Sequence, residues 1–94
     1  MEKEKYKLCL YVAGNTQKSR SAITNLERYC KEHLADHYTV EVIDLREHPH
    51  LAEGKQIIAT PTLIKKLPEP IRILVGDLSD QEKFLVGLDL KREG

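Results

Sequence analysis

The sequence predicts an α/β fold of element order βαβαββα, and three observations lead there. Near the N-terminus an almost continuous apolar run closes at a glycine. Helical spacing of apolar residues follows at once, and then comes an alternating, β-branched stretch. A chain of 94 residues has room for one modest core and not two, so a single domain over 1–94 is expected.

Lys7-Leu8-Cys9-Leu10-Tyr11-Val12-Ala13 ends at Gly14 and reads as a buried central strand. Asn15 to Ser19 supplies turn and cap chemistry. Ala22, Ile23, Leu26, Tyr29, Cys30 and Leu34 then mark an amphipathic helix over about 19–35. Tyr38 to Leu45 alternates and reads as the second strand. Strand, helix and strand with short connections make a right-handed βαβ unit with parallel strands.

In the second half Pro49 opens a short helix across Leu51, Ala52, Ile57 and Ile58, which Gly54 weakens. Thr62 to Lys66 is strand-like, Pro68-Glu69-Pro70 turns, and Ile71 to Val75 is a strand ended by Gly76-Asp77. Ser79-x-x-Glu82 has the form of a capping box and opens a helix carrying Phe84, Leu85 and Leu88. The resulting order is that of thioredoxin. Val86-Gly87-Leu88-Asp89-Leu90 also alternates with a strand period, so this last segment supports two states.

Composition narrows the function. The 15 basic and 15 acidic side chains cancel and are evenly spread, so no basic face for nucleic acid is expected. No Trp and one Phe argue against stacking on single strands. Apolar runs fall far short of the ~20 residues that span a bilayer, and the charged start, Met1-Glu2-Lys3-Glu4-Lys5, is no signal peptide. A cytoplasmic protein is expected, and two cysteines, Cys9 and Cys30, fit that.

Four stretches carry a family resemblance: Leu10-Tyr11-Val12-Ala13-Gly14-Asn15-Thr16, Val42-Ile43-Asp44, Ala59-Thr60-Pro61-Thr62-Leu63, and Gly76-Asp77-Leu78-Ser79-Asp80 with Val86 to Leu90. In this order and spacing the chain resembles the KaiB family, fold-switching subunits of the cyanobacterial circadian oscillator, over about 6–90. The resemblance implies two folds for one sequence. One is thioredoxin-like and binds the N-terminal ATPase ring of KaiC. The alternative is a βαββααβ ground state, a homo-oligomer (dimer or tetramer, usually the latter). The positions that bias the switch match Gly87 and Asp89. A Gly and an Asp lower the propensity of a helix there, and Gly87→Ala is expected to favour the helix. The capping box favours the thioredoxin-like form.

The resemblance also assigns surfaces. Basic positions facing KaiC match Lys65 and Arg72, each alternatively a solvated charge. Gln56 replaces a further family lysine, and Gly54-Lys55 replaces acidic residues. Thr39 and Glu41 stand where a small residue and a lysine usually receive KaiA, a charge reversal that argues against KaiA binding. Thr60-Pro61 resembles the cis-proline bend of thioredoxin folds, a trans turn being the alternative.

Thioredoxin carries CxxC where Asn15-Thr16-Gln17-Lys18-Ser19-Arg20 stands here, without a thiol. That loop is read as a helix cap rather than an anion site, and the scattered His33, His37, His48 and His50 are not expected to bind metal. The resulting expectation is a non-enzymatic adaptor, without cofactor or metal, that binds a KaiC-type ring ATPase. It would regulate the phosphorylation and ATPase cycle of that ring in a circadian, timer or stress-response system. The alternatives are a thiol or glutathione enzyme on a thioredoxin scaffold, and a KaiB-like sensor module of a histidine kinase system. Against the last, these 94 residues hold no kinase segment.

Overall fold

Strand β1 (Tyr6–Val12) sits inside the sheet because both its faces are apolar. The computed structural model describes residues 5–35, 37–52, 57 and 59–88. Their order is β1, α1 (Gln17–His33), β2 (Tyr38–Asp44), a 3-10 turn (Pro49–Ala52), β3 (Thr62–Leu67), β4 (Arg72–Val75) and α2 (Gln81–Gly87). The strands lie in the order β2-β1-β3-β4. β1 pairs in parallel with β2, as the βαβ reading requires, and antiparallel with β3, which pairs antiparallel with β4.

Successive residues of β1 point to opposite faces. Leu8, Leu10 and Val12 meet Ala22, Leu26, Tyr29 and Cys30 of α1 and Phe84 and Leu85 of α2. Cys9 and Tyr11 turn the other way, toward Ile64, Ile43, Leu45 and Ile57. The register of β1 on β3 shifts between Lys7 and Leu8, a bulge that leaves Lys66 without a partner residue in the ladder.

Two local readings are corrected. The helix cap ahead of α2 is Asp80, whose carboxylate accepts the Lys83 N–H at 3.2 Å; it is not Ser79. Ser79 is instead drawn into a turn, its N–H donating to Asp77 Oδ1, and Glu82 falls in the first helical turn, where the helix dipole favours an anion. The described part of the helix expected from Pro49 is a single 3-10 turn; residues 53–56 and 58 lie outside the described residues. At α1 the expected cap chemistry is present: Thr16 Oγ1 accepts the Ser19 N–H at 3.1 Å.

Candidate functional site

Where thioredoxins place their thiols, this chain builds a capped loop. Gly14 turns with φ of 78° and donates its N–H to Asp44 Oδ1 at 2.9 Å. The Asp44 carboxylate also accepts the Arg46 N–H at 2.9 Å, and these two donors hold its pKa below the usual carboxylate value. Arg20 folds back on Asn15, its guanidinium donating to the Asn15 carbonyl at 3.0 Å. The Gly14 N–H, the Thr16 hydroxyl and the Arg20 guanidinium are thus spent on the shape of the loop. Asp44 belongs to the Val42-Ile43-Asp44 motif, but its clamp on Gly14 has no local sequence signal, because the two residues are 30 apart.

Neither cysteine belongs to that loop. Cys9 lies in β1 and Cys30 on the inner face of α1, and both are buried and free. Burial, with a smaller contribution from Glu27, pushes the Cys30 thiol up to about 12. A thiol so placed stays protonated and is a poor nucleophile. Among the described residues no three His, Cys, Asp or Glu side chains come together as a metal site.

Lys65 and Arg72 are brought together as register partners across β3 and β4. Lys65 also faces Leu8 of β1, which sets it on the helix-covered side of the sheet. There it is only 2% exposed, with Nζ 5.9 Å from the centroid of the Tyr6 ring. In this fold Lys65 is therefore neither a solvated charge nor an exposed, partner-facing cation, because the sheet register carries it inward. Arg72, on the edge strand, is exposed.

Thr39 and Glu41 lie on β2, the opposite edge, and both are exposed. The Thr60–Pro61 peptide bond is cis, as are Leu67–Pro68 and Glu69–Pro70. Gly87 is the last residue of α2 and packs beside Leu74 of β4; Asp89 lies outside the described residues, as do Gln56, Gly54 and Lys55. The sequence reading missed one surface. Ile73 and Val75 of β4, with Ile71 before it, are exposed large hydrophobics on an edge strand. Their signal in the sequence is the alternation Ile71-Arg72-Ile73-Leu74-Val75 within a strand that lies at a sheet edge.

A sequence profile of the KaiB domain matches residues 9–90. The chain belongs to the KaiB family. It is 48% identical over 94 residues to the circadian clock protein KaiB3 of Synechocystis, covering 100% of this chain and 92% of that relative. It is 50% identical over 91 residues to the circadian clock oscillator protein KaiB of Microcystis aeruginosa, covering 97% and 88%. Among solved structures, the N-terminal domain of SasA from Synechococcus elongatus aligns with a TM-score of 0.75 at 24% identity, covering 100% of this chain and 91% of that one. Mitochondrial thioredoxin 3 of Saccharomyces cerevisiae aligns with a TM-score of 0.71 at 12% identity, covering 93% and 79%. These two likenesses establish the fold as thioredoxin-like α/β. This KaiB-family chain is thus a clock-related protein by kinship and thioredoxin-like in fold. No helix among the described residues is long and apolar enough to cross a membrane.

Proposed function

We propose that this KaiB-family chain is a non-enzymatic, cytoplasmic adaptor whose partner is a KaiC-type ring ATPase. By docking on that ring it regulates the phosphorylation and ATPase cycle of a circadian, timer or stress-response system. The observation that carries the reading is identity near one half with circadian clock KaiB proteins over almost the whole chain. The site geometry supports it: the loop that is reactive in thioredoxins is closed on itself by Thr16, Asp44 and Arg20, and both thiols are buried. The loop holds no cysteine, so on this reading the protein acts at its surface rather than through thiol chemistry there. Arg72 is the exposed cation offered to the ring, and Lys65 beside it shapes the strand that presents Arg72. Gly87 and Asp89 bias the balance with a ground-state homo-oligomer, a dimer or tetramer. Glu41 and Thr39 make KaiA a poor partner.

The test is size-exclusion of the protein mixed with its own KaiC-like ATPase and ATP. Co-elution is expected. Separate elution in ATP and in ADP alike would overturn the reading.

A further inference from the structure

Helix α1 presents Asn25 and Tyr29 one turn apart, on neighbouring positions of one face. Both reach the loop between β4 and α2. Tyr29 Oη donates to the Leu78 carbonyl at 2.8 Å in a buried setting, and Asn25 Nδ2 donates to the Asp77 carbonyl at 2.9 Å. Two successive carbonyls are thus gripped by a helix from the other half of the chain. Between the two carbonyls, the Leu78 backbone sits at φ of 62°, a left-handed conformation that a leucine adopts only where its surroundings impose it. The same Tyr29 ring packs on Phe84 of α2, with centroids 4.8 Å apart.

We propose that Asn25 and Tyr29 form a latch that sets how often the segment 77–88 opens away from the sheet while the rest of the fold stays intact. The argument turns on direction and length. Burial of Phe84, Leu85 and Leu88 holds α2 down, but apolar contact is non-directional. The two hydrogen bonds fix the path by which the chain enters α2 and hold Leu78 in its unfavoured conformation. A helix of seven residues is too short to persist alone, so releasing its lead-in melts it rather than swinging it aside. Opening is then a local, cooperative event coupling the two halves of the chain. Its consequence for ring binding rests on the function proposed above; the latch itself does not.

Native-state hydrogen exchange on the isolated full chain tests it, comparing wild type with Tyr29→Phe, Asn25→Ala and the double variant. Tyr29→Phe keeps the ring against Phe84 and removes only the hydroxyl. It is expected to speed exchange of the Phe84 and Leu88 amides roughly tenfold, the scale of one buried carbonyl left unsatisfied, with little change at Cys9 and Leu10 of β1. The double variant should fall short of the product of the single effects, because either loss already frees the loop. Equal acceleration in β1 and α2, or none in α2, would overturn the latch; should Asn25→Ala fail to fold, Tyr29→Phe alone decides. A chain that exchanges as expected yet never binds the ring leaves the latch standing and removes only the partner reading.

Discussion

Gly87 and Leu74 pack so closely that a Cβ added at Gly87 would fall on Cδ2 of Leu74 and lie 3.0 Å from its Cγ. Leu74 is part of the layer packed against the main core, so its side chain is not free to swing into solvent. This reverses the expectation that Gly87→Ala simply favours the C-terminal helix. The propensity gain is up to about 1 kcal/mol, whereas forcing a methyl into a packed site costs about 1–3 kcal/mol. Gly87→Ala should therefore lower stability by about 1 kcal/mol net in urea melts. In a Leu74→Ala background the obstruction is gone and the same substitution should become stabilising. A cycle with no change of sign would refute the steric account.

Cys30 gives a pH dependence with a defined sign. Its folded pKa is raised from an ordinary thiol value of 9.0 to about 12, mainly by burial. The folded chain therefore holds this proton more tightly than the unfolded one. The contribution is fully present below the unfolded pKa and is lost as pH rises from there toward 12. Wild type should lose stability across that window by at most about 1.4 kcal/mol per pH unit on this account, and Cys30→Ala should lose less. Burial also raises the Tyr11 hydroxyl, so the cleanest comparison lies between about pH 9 and 10, below the ordinary phenol value. The same burial predicts that neither thiol reacts with a thiol-exchange reagent at neutral pH until the protein is unfolded.

Asp44 works with the opposite sign. Two backbone N–H donors lower its pKa, so its contribution is present above the unfolded carboxylate value and is lost as pH falls through the lower folded one. Asp44→Asn should lower the melting temperature at neutral pH and weaken the loss of stability on acidification. An acid limb identical to that of wild type would mean that the Gly14 clamp is energetically empty.

Much of this was legible in the sequence, for identifiable reasons. Leu8 to Val12 is apolar at every position, and a run this short, closed by Gly14, suits a strand buried on both faces. Thr16 and Ser19 have the spacing of a cap, which is local chemistry. What failed depended on pairing or on competition between neighbours. Lys65 reads as a surface residue until its register beside Leu8 is known. Ser79 and Asp80 both suit a cap, and the choice fell to the carboxylate that reaches the Lys83 N–H. The hydrogen bonds from Asn25 and Tyr29 span about fifty residues and leave no local trace.

Glu41 carries a prediction about partner choice. It is exposed on the edge strand β2, two residues from exposed Thr39. A negative charge set against a surface that complements a lysine costs association rate and affinity. A cyanobacterial KaiA should be recruited weakly or not at all by the wild type in a pull-down, and better by Glu41→Lys. Equal recruitment by both proteins would remove Glu41 from the argument.

Lys65 and Arg72 are register neighbours that should nonetheless fail in different assays. Arg72 is exposed at the sheet edge, so reversing it with Arg72→Glu removes little packing. Surface substitutions of this kind usually shift stability by less than about 0.5 kcal/mol. If Arg72 faces the ring ATPase, the reversal should slow association and weaken binding roughly tenfold, more so at low salt. Lys65 is buried against the sheet and Tyr6, and its long aliphatic stem fills space there. Lys65→Ala removes that stem and should cost about 2–3 kcal/mol, on the scale of other buried truncations, seen as a lower urea midpoint. Its effect on ring binding should then vanish once both proteins are compared under conditions where each is fully folded. A Lys65 variant of wild-type stability that still loses the ring would place this side chain at the interface and reverse the division of labour between the two cations.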